Sequence, residues 1–586
     1  MPLPAKADSI LRDSLAKRGV RVRMTDTVKA PLAHAELPAQ VSMARTLRWS
    51  RDSLANTGAL TVADLLDRVP GVSTFHSGWL ASPMTAAYLG DHKRVRIFQD
   101  GVELQELDPR SGTVFDLSQL NLWAAEDAQI EQTAEEIRVY LRTWRVQLTT
   151  PVTRTDIATG DQVTNLYRGF IGRRFDNGIA LQFAAQQYGT TPSSSLGGSS
   201  DQLGLVMRAG IARPRWSLDG FLSSTNRHRG VVFNIDRLTI ADSIPGVEST
   251  RADSYIRAAY GDPDTSLVWG QLMASGQRYV YTGIRTRQFI PPRTPAESLF
   301  NLTSLDTSNF RSQYIASAGA GYGPFRLSAA ARIFGGGGRS IFSPWGRASF
   351  NSRIATISAY AEGASIDSTS RVDISARINP LPFISLLGSA GRTEDSRVVD
   401  SSYTARYLRG EAGLRLFNLW LTGGVMWRDS AMLSAPIIYD TLFTRQASGP
   451  VTGYTAGIRG QLWRLIRADV WGVRWNDTTK FYQPRYQTRS ELSVRTNLLD
   501  RFPSNNFGIV FAAVHEYRSG VRFPLDNAIV SAPGYRTLST LLEIRILTAT
   551  LSWQFRNILG ERYPQVPSFL APRQTNFYGV RWEFFN

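Results

Sequence analysis

From about residue 150 onward the chain changes polarity at every second position. In Arg371–Ile378, Val372, Ile374, Ala376 and Ile378 fall on one side while Arg371, Asp373, Ser375 and Arg377 fall on the other. Only an extended strand turns successive side chains to opposite faces. Leu408, Gly410, Ala412, Leu414 and Leu416 alternate with Arg409, Glu411 and Arg415 in the same way. So do Leu492 and Val494 with Glu491, Ser493 and Arg495, and Leu542, Ile544 and Ile546 with Glu543 and Arg545. These runs outlast the ~5–6 residues usual in soluble sheets and match the ~9–11 that cross a bilayer as tilted strands. Nowhere is there an apolar run of the ~18–20 residues a membrane helix needs, so any crossing must use strands.

Twenty-two such segments can be laid out, from a first near 145–156 to a last near 576–585. Connections after even-numbered segments are tight, as at Asp176-Asn-Gly178, Arg213-Pro-Arg215, Gly323-Pro324 and Phe417-Asn418. Every long connection follows an odd-numbered one: 227–249, 277–306, 430–449, 518–534 and 559–575. Short turns on one rim and long loops on the other predict a transmembrane β-barrel of 22 antiparallel strands. Tyr279 and Tyr281, with Phe289-Ile-Pro-Pro292, are expected in the outer contact surface of the long loops.

The first 150 residues read differently. Thr61 is placed to cap a short helix with an apolar stripe at Val62, Leu65, Leu66 and Val69 and a Pro70-Gly71 stop. Arg94–Gln99, Asp100-Gly101 and Val102–Leu104 spell a β-hairpin around a two-residue turn. Upstream lie a weak helical stretch at Ser9–Lys17 and an extended Thr25–Pro31 in a polar segment expected to be mobile.

Charge narrows the functions. The 66 basic and 49 acidic residues leave +17, and five of the basic residues are lysine, so 61 are arginine. The excess belongs wholly to residues 151–586, where arginine is dispersed along strands rather than gathered into a nucleic-acid patch. Cysteine is absent, which removes disulfides, thiol catalysis and cysteine-ligated metals. His34, His76, His92, His228 and His515 never fall at metal-site spacing. Gly319–Gly323 and Gly335–Gly338 sit at strand ends without a following helix or a nucleotide-loop Lys-Ser/Thr. No catalytic constellation, metal or cofactor is expected.

The helix ending in Val69-Pro-Gly-Val72, the segment Val95–Val102, and the closing Leu551–Gly560 and Asn576–Phe585 resemble the TonB-dependent outer-membrane receptors. That resemblance implies a 22-stranded barrel with a small α+β N-terminal plug domain inside the lumen. It divides the chain into an N-terminal periplasmic extension (1–50), a plug (51–144) and a barrel (145–586). Pro70, Gly71, Asp100 and Gly101 become plug-motif residues; Tyr578, Trp582, Phe584 and Phe585 become the C-terminal barrel signal. The family pairs an extended box with a periplasmic TonB-type energiser by strand addition, and Asp26, Thr27, Val28, Lys29 and Ala30 are the candidate; the other reading is a solvated linker. Where family plugs carry Ile-Arg-Gly, this chain has Ala87–Arg94, and the usual Glu-Val-x-x-Gly-Pro element has no counterpart in Ala128–Tyr140. No hydrophobic signal core opens the sequence, so its leader is expected to have been processed or left out.

The implied function is energised uptake of a scarce ligand (siderophore, vitamin or oligomeric nutrient) across the outer membrane of a Gram-negative-type bacterium. The competing reading is a plugged surface barrel with a structural or interaction role and no TonB coupling. Inward Arg371, Arg377, Arg409, Arg415, Arg495 and Arg545 could fork onto an anionic ligand. They could equally form an internal ladder with Asp373, Glu411, Glu491, Glu543 or the plug.

Overall fold

The computed structural model describes residues 32–44, 46–108, 111, 114–147, 149–193, 196–235, 243–282, 307–336, 338–365, 368–395, 403–438, 446–477, 480–498, 501–502, 506–525 and 528–585. The Ser9–Lys17 stretch, the 26–30 candidate box and Phe289–Pro292 lie outside them.

Twenty-two antiparallel strands close into one barrel, the last, Thr575–Phe585, pairing with the first, Val152–Gly160. Closure leaves no unpaired strand edge in the wall, which is what allows a sheet to stand in lipid. The alternation read from sequence sets the faces. In Thr369–Leu381, Val372, Ile374 and Ile378 are exposed outside, while Arg371 and Asp373 are buried in the lumen. Tight turns join the strands at one rim, as at Gly178, whose φ of 87° and closeness to the Ala212 carbonyl leave no room for a Cβ. The first strand starts seven residues later than its expected 145, because Trp144 and Val146 turn into the lumen and pack on Phe170 and its neighbours.

The lumen is filled. Strands β1 (Arg48–Ser50), β4 (Val95–Gln99), β5 (Val102–Glu103), β6 (Ala125–Gln132) and β7 (Ile137–Thr143) form a sheet in the order β1-β6-β7-β4-β5, and β2 (Val72–His76) pairs with β3 (Met84–Tyr88) as a separate hairpin. Helix α1 (Arg51–Ala55) precedes α2 (Val62–Leu66). Thr61 and Asp64 cap α2 reciprocally, and Val62, Leu65, Leu66 and Val69 are all fully buried. Gly71 adopts φ 84°, and Asp100 and Gly101 adopt φ 50° and 90°, the paired left-handed turn that an Asp-Gly hairpin needs.

Residues 32–47, which the resemblance assigns to the extension, are packed inside the barrel as an extended strap. Leu32, Ala33, Met43 and Leu47 are buried. The strap touches Ser217, Gln271 and Ser328 near the starts of their strands, and Arg377, Gly413 and Arg459 near the ends of theirs. All six positions lie at the short-turn rim, so the strap follows that rim from the strand Trp216–Arg229 to the strand Val451–Gln461.

At the opposite rim, the long connections hold, among the described residues, three small hairpins, Ala431–Leu433 with Gln446–Ser448, Val521–Leu525 with Ala528–Ala532, and Pro564–Val566 with Phe569–Leu570. They fold inward over β2 and β3. Tyr279 and Tyr281 are likewise not a loop surface: they end the strand Val268–Thr282 and are buried against Leu107 and Val247.

Candidate functional site

Three layers of contact occupy the barrel between its rims. The middle layer joins the plug sheet to the wall through buried charge. Arg96 of β4 reaches Glu103 at 2.7 Å and forks onto wall residue Glu362 at 2.6 and 2.9 Å. Arg332 of the wall closes on the same Glu103 at 2.9 Å, and Arg371 meets plug residue Glu136 at 3.0 Å. Arg138 of β7 is fully buried between Glu136, Glu131 and the wall's Asp373. Burial alone would raise the Glu136 carboxyl, but Arg138, Arg96 and Arg371 outweigh it and hold it at about 2. Glu135 beside it goes the other way, pushed well above the carboxylate range by burial and by the charges of Glu136 and Asp373. Such a network resists separation, since removing one partner strands the others without water.

The layer at the short-turn rim is the strap, held by its carbonyls. Arg145 donates to Leu32, Arg257 to Ala33 at 3.1 Å, Gln271 to His34 at 2.6 Å and Arg142 to Ala35. Gln129 then takes Pro38 at 2.9 Å, Arg377 takes Ser42 at 2.7 Å and Arg459 takes Met43 at 3.4 Å. An extended segment without a ladder partner thus has its acceptors satisfied by side chains, mostly arginine. The Asp-Gly turn anchors here too: the Asp100 carboxylate accepts from Arg208 and the Tyr255 hydroxyl of the wall, both at 3.1 Å.

The layer at the long-loop rim is apolar. Phe75 and Ala87 of the plug hairpin pack with Leu433, Ile437, Tyr482, Val521, Phe523 and Phe569 of the loops, and Phe75 meets Phe523 edge-on at 5.9 Å. The Gln565 side chain accepts from the His76 amide at 2.9 Å, and Thr85 donates to the Pro436 carbonyl. Beneath this lid a polar cavity of about 150 Å³ is lined by Asp64, Asp67, His76, Arg489, Glu516 and Arg556. Burial, and then the Glu516 charge, push Asp67 up to about 7. Burial brings His76 down to about 4, with Arg556 and Arg518 adding to it against Asp64. No cluster of three metal-binding side chains occurs among the described residues.

A filled 22-stranded barrel with this plug has known counterparts. The family model of the TonB-dependent receptor plug domain matches residues 36–137. Residues 36–137 thus carry the match to a TonB-dependent receptor plug domain, seated in a closed 22-stranded barrel. Solved structures agree on the fold. The siderophore receptor PirA from Acinetobacter baumannii superposes with a TM-score of 0.67 at 10% identity, over 94% of this chain and 100% of that one. The copper transporter OprC gives 0.68 at 9%, over 95% and 100%, and the FrpB iron transporter from Neisseria meningitidis (F5-1 variant) gives 0.65 at 9%, over 92% and 100%. No curated protein matches in sequence.

The residues singled out from sequence separate within this barrel. Arg371 lies in the middle network, Arg377 holds the strap, and Arg409 pairs with Glu411 at 2.6 Å while donating to the plug carbonyl of Gln132. Arg415, Arg495 and Arg545 are not gathered with them: each is the next-to-last residue of its strand and sits at the short-turn rim. Alternation fixes the face a residue takes but not its height. Tyr578 and Trp582 are exposed on the wall, Phe584 meets Trp582 with its ring tilted by 31° at 4.5 Å, and Phe585 ends the strand opposite Val152. Sequence reading missed the plug carboxylates Glu103, Glu131 and Glu136, whose partners on the wall lie more than 200 residues away. It also missed the strap, which has no periodicity to betray it.

Proposed function

We propose that this receptor takes up a scarce ligand from outside a Gram-negative-type outer membrane, drawing on a TonB-type periplasmic partner. The observation that carries this reading is the strap: it brings the chain to the short-turn rim at Leu32, directly downstream of the 26–30 candidate box. On this reading the short-turn rim faces the periplasm and the apolar lid faces outward. Relatives in fold are titled as siderophore, copper and iron transporters, which suits a scarce-nutrient ligand. Arg371, Arg377 and Arg409 are engaged with carboxylates and carbonyls, so they do not argue for an anionic one.

Strand addition needs free backbone donors, so Val28→Pro in a synthetic peptide spanning 24–32 is expected to abolish its binding to the host's periplasmic TonB domain in calorimetric titration. In cells, deleting 25–31 should leave barrel insertion intact and remove growth on the scarce nutrient. A peptide that does not bind, together with a deletion that changes nothing, would favour the structural or interaction reading.

A further inference from the structure

The wall is uneven on its lipid side. Along two neighbouring rows of the register, the strands that begin at Val268, Thr307 and Phe325 present only small residues over most of their width: Gly270, Ala318 and Ala329 in one row, Ala316 and Ala331 in the next. On one flank the same rows continue into large residues, Tyr260 and Trp216 in the first, and Leu272 and, beyond Ala258, Leu218 in the second. Leu218, Tyr260 and Leu272 are all exposed, Leu272 at 64%. Tyr314 and Ile333 close the depression toward the long-loop rim. The result is an apolar groove of about 800 Å³ on the outside of the barrel, open to the membrane.

A cationic turn stands beside the groove at Trp216, on its large-residue flank and at the short-turn rim. The turn Arg213-Pro-Arg215 leads straight into Trp216, and both arginines are exposed. It is held at both ends, since the Arg213 amide donates to the Trp216 carbonyl and the Gly261 amide, next to Tyr260, donates to the Arg215 carbonyl. The acidic residues of the turn after Tyr260 are directed away from this charge. Asp264 is taken by Arg142 at 2.8 Å and Asp262 accepts from the His34 amide at 3.1 Å, both toward the lumen.

We infer that the groove seats the acyl chains of one acidic phospholipid of the leaflet on the short-turn side, with its phosphate headgroup on Arg213 and Arg215. Apolarity does not select this occupant, because lipid tails are as apolar as the wall. Shape and charge do. Flexible chains can follow a floor of Gly and Ala into close contact, and fixed guanidinium groups at a membrane surface favour an acidic over a zwitterionic headgroup. A second copy of the chain fits poorly, since a twofold contact would set one concave face against another. The inference needs only that the wall stands in a bilayer, so it holds whichever reading of the function is right.

The test is lipid competition on the full-length protein in mild detergent, followed by native mass spectrometry with phosphatidylglycerol and phosphatidylethanolamine in equal amounts. Retention of phosphatidylglycerol is expected to exceed that of phosphatidylethanolamine by about tenfold. Arg213→Gln with Arg215→Gln should erase that preference, and Ala318→Leu with Ala329→Leu, filling the floor, should reduce retention of both lipids. Equal retention by the unaltered protein overturns the inference without reference to any variant. So does a dimer, or a co-purifying polypeptide, that Ala318→Leu with Ala329→Leu disperses, since the groove would then be a protein interface.

Discussion

Arg138 shows what a single residue does in a packed lumen. Its side chain is fully buried, yet Glu131, Glu136 and Asp373 surround it, so its charge is shared among the carboxylates it helps to keep there. Arg138→Met should therefore cost about 3–5 kcal/mol. The loss should register as early protease entry into β6–β7 on heating, while the barrel keeps its slow migration on unheated gels. Protonation acts at the same scale in the cavity under the lid. Asp67 rises from 3.8 to about 7, so between those values the folded state holds a proton the unfolded state lacks, and acidification stabilises. His76 falls from 6.5 to about 4, so between those values the unfolded state holds the extra proton, and acidification destabilises. The two oppose each other from about pH 6.5 down to pH 4. Asp67→Asn should expose the His76 slope: relative to the unaltered protein, its unfolding temperature rises above pH 7 and falls toward pH 4. A difference curve flat across this range would refute the assignment.

At the scale of elements, strands were legible in the sequence and the strap was not, for one physical reason. A wall strand has two environments, lipid and lumen, so its residues alternate and its turns sort by rim; the strand Tyr535–Ile546 coincides with a segment whose Leu and Ile positions mark it. The α2 cap and the Asp-Gly turn were legible too, because their causes lie within a few residues of chain. The strap's cause lies elsewhere: Leu32–Met43 takes its course from Arg257, Gln271, Arg377 and Arg459, hundreds of residues away. Arg371 and Arg377 could be assigned to the inner face, but whether each meets a carboxylate, a carbonyl or a ligand depends on plug residues that no period connects to them. The strap's grip is testable by its parts. Arg257→Ala removes the donor to Ala33 and to Asp100, and Arg377→Ala the donor to Ser42, each leaving buried acceptors at a cost of about 1–3 kcal/mol. Amide exchange over 33–43 should quicken in each variant while β6 and β7 keep their protection; unchanged exchange in the strap would mean the carbonyl contacts do not hold it.

For the whole molecule, the three layers differ in how they can open. The middle network is charge buried among its partners, and the strap is a series of side-chain hydrogen bonds, so parting either one leaves polar groups uncompensated. The lid is apolar contact between loops and the plug hairpin, and its parting wets apolar surface without stranding charge, which makes it the layer best suited to open toward an arriving ligand. Phe523 is fully buried at its centre, against Phe75 and Tyr482. Because the chain has no cysteine, a single introduced thiol reports on opening without background. Ser77→Cys places one just past β2, at a residue 2% exposed beneath the lid. On intact cells its reaction with a membrane-impermeant maleimide should be slow. Adding Phe523→Ala removes about 3 kcal/mol of packing and should speed labelling by about a hundredfold, because the reagent reacts only with the open form. Equal labelling with and without Phe523 would place the barrier to entry below the lid, in the charged layer around Arg138.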